Sequence, residues 1–195
     1  MPEIPEIRAH AERLTAEFRG AELGTFRPLS FTALKTAVPS PNDAYGRTLD
    51  QVNQRAKYLL LRFGDLTFVV HLMQGGRLKP DEKQSKKPRG GLGRWTFDDG
   101  RALLLTEPGT ERRAGIWVVA GDVENQEPVD HLGPEATSLS ARDLENLFGD
   151  HSMRLHGFLR DQRILSGLGR RLANEICHRA GLSPLRPDLK TRRRR

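Results

Sequence analysis

The residues of this chain best suited to covalent chemistry stand at its start. Pro2 becomes the first residue once Met1 is removed, and a small second residue permits that removal. A free terminal proline is a secondary amine. An α-amino group has a pKa of about 7.7–8.0, against about 10.4 for lysine, so a usable fraction is neutral near neutral pH. Neutral amines attack aldehyde-type carbons, the anomeric carbon of a sugar among them, and form iminium ions. Glu3, next in the chain, is placed to carry protons. Pro and Glu are also ordinary at a helix entry, and the pair alone fits either reading.

Three further places could bind or assist. Lys57, in Arg55-Ala56-Lys57-Tyr58, stands at the entry to an apolar strand. There a lysine can meet a phosphate or shuttle a proton with its stem on the sheet, or simply reach solvent. His71 closes a second apolar run and precedes Leu72-Met73-Gln74-Gly75-Gly76-Arg77. The glycines permit close approach of backbone to a ligand, but a plain Gly-Gly turn beside a sheet-edge histidine has the same sequence. The third place is Asp161 to Arg171, where a helix, a glycine turn and a second helix follow one another. The unpaired N–H groups and positive dipole of a helix starting near Gly169, with Arg170 and Arg171 beside them, make a phosphate seat, though most such turns are only turns.

These residues need elements to hold them. Ile7, Ala11, Leu14 and Phe18 recur at helical spacing, so a helix runs from Pro5 to Phe18 and ends at Gly20. The middle of the chain reads as β: Tyr58 to Phe63, Leu66 to Leu72, a hairpin of Trp95-Thr96-Phe97 and Arg101 to Leu105 around Asp98-Asp99-Gly100, and Ile116 to Val119. Short strands with tight turns predict an antiparallel sandwich or barrel. Lys79 to Gly93 is polar and rich in Lys, Gly and Pro, and reads as a mobile loop. After a linker, Gly121 to Pro134, the pattern turns helical. Ser140 and Asp143 form a capping box with Leu139 and Leu144 as a hydrophobic staple. Leu155, Phe158 and Leu159 mark a second helix, and Leu172, Ile176, Cys177 and Ala180 a third, closed by Gly181. The expected fold class is α+β: an N-terminal helix with an antiparallel β-sandwich over residues 1–125, then a helical unit over 126–195.

Charge and composition narrow the function. Thirty-two Lys and Arg against twenty-five Asp and Glu leave a net charge of +7, which fits a polyanion partner or a basic surface kept for solubility. No apolar run approaches the roughly 18 residues of a membrane helix. The acidic start, Met1-Pro2-Glu3-Ile4-Pro5-Glu6, is unlike a signal peptide, so a cytoplasmic protein is expected. One cysteine, Cys177, excludes an internal disulfide and a cysteine-built zinc site within this chain. No metal or organic cofactor is expected.

Taken in order, these segments resemble the formamidopyrimidine-DNA glycosylase and endonuclease VIII family of base-excision repair enzymes. The opening Met1 to Glu6, the strand Ala56-Lys57-Tyr58-Leu59-Leu60, the segment His71 to Leu78, Leu132-Gly133-Pro134, and the stretch from Leu159 through Gly167-Leu168-Gly169 to Glu175 and Pro184 carry the likeness across nearly the whole chain. The resemblance implies a two-domain, monomeric enzyme with double-stranded DNA in its cleft, which flips a damaged base out of the duplex and cleaves its glycosidic bond. It implies Pro2 as the Schiff-base nucleophile and Glu3 as proton donor and acceptor. It implies Lys57 on phosphate and in the elimination, and His71, Arg77, Gly169 and Arg170 on DNA. Arg112-Arg113-Ala114-Gly115-Ile116-Trp117 resembles the segment that fills the gap left by the flipped base, with Arg112 as its arginine.

The chain departs from the family pattern at several places. Ala114 stands where the gap-filling segment has an aromatic residue, Arg170 where the helix pair has Asn, and Leu172 where it has Tyr. Met73 comes one residue early, with Gln74 in the expected methionine place. The family continues into further helices and a finger with a DNA-gripping arginine. The resemblance here stops short of that finger, which implies either a fragment or a divergent short form and leaves a catalytically degenerate damaged-DNA-binding protein as the alternative. A structural or ribonucleoprotein component using the basic run Lys190 to Arg195 ranks last, since it leaves the ordered matches unexplained.

Overall fold

In the computed structural model, which describes residues 2–185, helix α1 spans Ile4–Phe18. Met1 and the basic run Lys190 to Arg195 lie outside the described residues. Glu3 caps α1: its side chain takes the Glu6 amide, and Glu6 Oε2 accepts the Glu3 N–H at 3.0 Å. This reciprocal box satisfies two amides that a helix start leaves unpaired. One face of α1 buries Ile4, Ile7, Ala11, Leu14 and Phe18, the stripe that the helical spacing predicts.

Eight strands follow: β1 (Leu23–Pro28), β2 (Gln51–Arg55), β3 (Tyr58–Phe63), β4 (Leu66–His71), β5 (Arg77–Pro80), β6 (Gly91–Phe97), β7 (Ala102–Thr106) and β8 (Gly115–Ala120). They form two four-stranded sheets, in the orders β1-β6-β7-β5 and β2-β3-β4-β8, with every pairing antiparallel. Leu59, Leu61 and Phe63 alternate inward along β3, and all six residues of β4 are buried. Phe26, Phe68 and Trp95 meet in the core with ring centroids 4.9–5.7 Å apart. Burying one such ring stabilises the fold by roughly 1.5–3 kcal/mol before any aromatic contribution. The expected hairpin is present, with Gly100 at φ +86° in the turn and its amide on Phe97 O.

β1, β2 and β5 have no counterpart in the sequence reading, and each lies at an edge of its sheet, as does the apolar β8 that was read. These three bury few residues, so their hydrophobic pattern is weak; in Gln51-Val52-Asn53-Gln54-Arg55 only Val52 is buried. Pro28 and Pro80 close the other two at strand ends, where no ladder amide is needed. The mobile loop expected over Lys79 to Gly93 is corrected. Its ends belong to β5 and β6, and its middle is held by a buried cation. Arg94 Nε donates to Asp81 Oδ2 at 2.8 Å, and Arg94 Nη2 to Ser85 O at 2.7 Å.

The chain divides into two compact units, Met1–Asp130 and His131–Arg195. The second unit holds α2 (Ala141–Asp150), α3 (Leu155–Arg160) and α4 (Arg170–Arg179). Ser140 caps α2 in the expected box with Asp143, and Leu139 and Leu144 pack partly buried on the helical core. That core is Leu155, Phe158, Leu159, Leu165, Leu168, Ala173 and Cys177. The α4 face shifts from the expected one. Ala173 and Cys177 are buried while Ile176 and Ala180 are exposed, because a ten-residue helix resting on α3 buries only a narrow stripe. Gly181 ends it at φ +61°. Among the described residues no helix is long and apolar enough to cross a membrane.

Candidate active site

The first unit brings Pro2 and Arg77 to one concavity of about 480 Å³. Pro2 lies immediately before the cap of α1. The rest of the wall comes from His10 and Arg13 on α1, Leu72, the Gln74-Gly75-Gly76 turn, Leu78 and Lys79 of β5, and Pro108. Three cations and no carboxylate line this space, so it favours an anionic ligand. Within this turn Gly76 is required by space. A Cβ on Gly76 would meet Leu72 O at 2.3 Å, because the Gly76 amide donates to that same carbonyl at 2.7 Å.

Glu3 is buried, with its carboxylate engaged at the helix cap. Its location one residue from Pro2 is given by the chain. Lys57 is likewise buried, 7% exposed, which removes the reading of a lysine reaching out to solvent. It sits in the β2–β3 turn after Ala56, whose φ is +52°.

His71 pairs with Tyr58 across the β3–β4 ladder, and the two rings meet edge to face at 4.6 Å. Its Nδ1 accepts the Met73 N–H at 3.1 Å, so the neutral ring carries its hydrogen on Nε2. Burial, and then the Lys57 charge, push the His71 pKa down to about 4. The imidazole is therefore neutral at physiological pH and presents an N–H donor. Among the described residues three non-glycines have positive φ, and two of them, Ala56 and Met73, flank Lys57 and His71. Backbone held in the left-handed region persists only where the surroundings over-determine it.

Arg112 is exposed and lines a second concavity, on the side of β1 and β6. Ala114, at the expected aromatic position, is buried. Gly169 and Arg170 lie in the second unit, as N-cap and first residue of α4. The turn before them is knit by Gln162, whose Nε2 donates to Leu168 O at 2.8 Å while its Oε1 accepts the Gly167 N–H at 3.0 Å. Gly133 packs against the same turn, its amide on Gln162 O at 2.9 Å and its carbonyl taking the Ser166 hydroxyl at 2.9 Å.

Two residues of consequence escaped the sequence reading. His10 donates from Nε2 to Leu78 O at 2.7 Å and so ties α1 to β5 beside Pro2. Burial lowers its pKa, the Leu78 carbonyl opposes that, and Arg13 adds to the lowering. Glu107 is buried, and its Oε2 accepts both the Arg113 and the Ala114 amide at 2.7 Å. The available signal was an acid closing an apolar strand before Pro108-Gly109, a place where a carboxylate can collect the amides of the loop it opens. Among the described residues no three His, Cys, Asp or Glu side chains gather as a metal would require.

A two-sheet antiparallel sandwich led by a helix and followed by a helix-turn-helix unit is a fold found in solved DNA glycosylases. Similar structures include a Lactococcus lactis formamidopyrimidine-DNA glycosylase bound to DNA containing an abasic site (TM-score 0.79, 17% identity, 97% of this chain and 74% of that one). A second is MutM with DNA containing carbocyclic 8-oxo-G (TM-score 0.81, 17% identity, 98% and 73%). In sequence, residues 1–117 match the formamidopyrimidine-DNA glycosylase N-terminal domain. The formamidopyrimidine-DNA glycosylase of Thiobacillus denitrificans is 30% identical over 188 residues, covering 94% of this chain and 68% of the relative. That of Geobacter sulfurreducens is 30% identical over 193 residues, covering 95% and 69%. The chain belongs to the formamidopyrimidine-DNA glycosylase family.

Proposed function

We propose that this protein is a base-excision repair DNA glycosylase with abasic-site lyase activity, acting on double-stranded DNA through a Schiff base on Pro2. The observation that carries the reading is the placement of Pro2 on the wall of a concavity lined by Arg13, Arg77 and Lys79, one residue from a buried carboxylate. Removal of Met1 frees the Pro2 nitrogen. That nitrogen attacks C1′ of the damaged nucleotide, the C1′–N bond breaks, and the departing base takes a proton from an acid, the role of Glu3. The proline nitrogen loses its proton, the C1′–O4′ bond opens with O4′ taking a proton, and the iminium so formed acidifies the C2′ hydrogen. Removal of that proton expels the 3′ phosphate, and water then releases the sugar fragment and restores the amine.

Binding rests on other groups. Lys57 and the Nε2–H of His71 serve as donors to phosphate, and Arg77 supplies charge beside the nucleophile. Arg112 contacts DNA at the opened base pair. In the second unit the amides that begin α4 after Gly169, with Arg170, form a phosphate seat. The first unit in this reading is the catalytic one and the second the DNA-binding one.

Borohydride trapping on DNA bearing an oxidised base or an abasic site tests the proposal. A covalent adduct is expected from protein with a free Pro2 nitrogen, and none from a form with an N-terminal extension. DNA binding without an adduct, once Met1 is gone, would replace the enzyme with the binding protein that Arg170 and Leu172 suggest.

A further inference from the structure

Phe31 is 102% exposed, as open as a phenylalanine in an extended peptide. It stands at the tip of the turn Ser30 to Ala33, which follows β1. The turn is firmly tied: the Ala33 amide donates to Ser30 O at 3.2 Å, the Ala33 carbonyl takes the Ile116 amide at 2.8 Å, and the Lys35 amide donates back to Ile116 O at 2.8 Å. An apolar ring is therefore presented to solvent on a fixed support bonded to β8. Two residues before it, Leu29 lines a concavity of about 480 Å³ whose wall also holds Arg27, Lys86, Lys87, Arg89 and Arg112. That wall carries no Asp or Glu, and none of the ion pairs formed among the described residues uses any of these five cations.

We propose that Phe31 and this basic concavity form a site for an unpaired stretch of DNA, with a base stacked on the Phe31 ring and its flanking phosphates held by Arg27, Lys87 and Arg89. Uncompensated cations tracking a backbone beside an exposed aromatic ring make the usual platform for unstacked bases, and the ring has no sequence preference because every base offers a π face. The concave shape and the single ring favour a strand over a membrane surface, which calls for a broad apolar face. The proposal rests on DNA being the partner but not on any chemistry at Pro2.

The test measures affinity at fixed salt for a duplex containing a non-cleavable abasic analogue opposite an unpaired base, and for the same duplex fully paired. Phe31→Ala is expected to weaken the first roughly tenfold and leave the second within about twofold. Phe31 touches no core, so loss of fold does not confuse the result. Phe31→Trp keeps the affinity, and its exposed indole emission is quenched on binding. Arg27→Gln and Lys87→Gln each flatten the salt slope by about one. Unchanged affinity in Phe31→Ala, or an unquenched indole, overturns the proposal, as does Phe31-dependent binding to anionic vesicles with DNA affinity untouched. Because the analogue needs no catalysis, an inert Pro2 with Phe31-dependent binding removes the enzyme reading alone. Normal borohydride adducts with Phe31-independent affinity remove this inference alone.

Discussion

The buried Glu107 carboxylate holds the Ala114 amide at 2.7 Å through the same oxygen that takes the Arg113 amide. One acid thus fixes the end of the loop that carries Arg112. A buried amide left without its acceptor is costly, and bonds to a charged group are worth about 1.5–3 kcal/mol each. Glu107→Ala is therefore expected to lose about 2–3 kcal/mol of stability, and Glu107→Gln, which keeps one carbonyl oxygen, about half as much. Amide hydrogen exchange at Arg113 and Ala114 reads this directly. Unchanged protection at both amides in Glu107→Ala would show that the loop holds itself.

The two glycines beside Pro2 should respond differently to the same methyl group. A Cβ on Gly75 lies 3.4 Å from Glu107 Cγ, close to ordinary contact, whereas one on Gly76 would lie 2.3 Å from a backbone oxygen. Gly75→Ala is expected to change stability by less than about 0.5 kcal/mol. Gly76→Ala must push the turn off Leu72 and break the 2.7 Å bond between them, at about 2 kcal/mol or more. In the enzyme reading it also moves the wall facing Pro2, so borohydride adduct formation falls with it. Thermal unfolding of the two variants side by side gives the answer, and equal melting temperatures would refute the packing argument.

Much of this fold was legible because its signals are local. The α1 stripe, the Asp98-Asp99-Gly100 hairpin and the Ser140 cap each depend on residues within a few positions of one another, and each is found in the structure. The edge strands β1, β2 and β5 were not legible, since few of their residues are buried, whereas β8, equally at an edge, buries four of its six residues and was read. For the site, residue types alone left Pro2, Glu3, Lys57 and His71 open to ordinary readings, and only the ordered resemblance across the chain joined them. Their environments were invisible: nothing in Arg55-Ala56-Lys57-Tyr58 shows that the lysine is buried, because burial depends on chain segments brought in by the tertiary fold.

Ala56 offers a test of stored backbone strain. Its φ of +52° is unfavourable for any residue with a Cβ, by about 1–2 kcal/mol. Glycine relieves that strain, but it also gives up a fully buried methyl worth about 0.8 kcal/mol and adds about 0.5–1 kcal/mol of chain entropy. The opposing effects nearly cancel, so Ala56→Gly is expected to lie within about 0.5 kcal/mol of the parent. Ala56→Val, whose branched side chain resists positive φ in a buried turn, should lose about 2 kcal/mol or more. Urea titrations decide the matter, and a Val variant as stable as the parent would mean that the turn is free to relax.

His71 makes stability depend on pH in a definite direction. Its folded pKa of about 4 lies below the unfolded value near 6.5, so between those values the unfolded chain binds more protons. Stability is then fully present above about pH 6.5 and is lost as the pH falls toward 4. The difference of about 2.5 pKa units corresponds to roughly 3 kcal/mol for a group this deeply buried. Denaturant midpoints measured across that range should slope downward with acid in the parent and much less in His71→Gln. Burial is the larger cause of the lowering and the Lys57 charge the smaller. Lys57→Gln should therefore raise the His71 midpoint without restoring it to 6.5, and narrow the sensitive window from its acid end. An NMR titration of the His71 ring separates the two causes. A midpoint unmoved by the substitution would mean that the Lys57 charge is screened from the imidazole, and that the two groups act on a ligand independently.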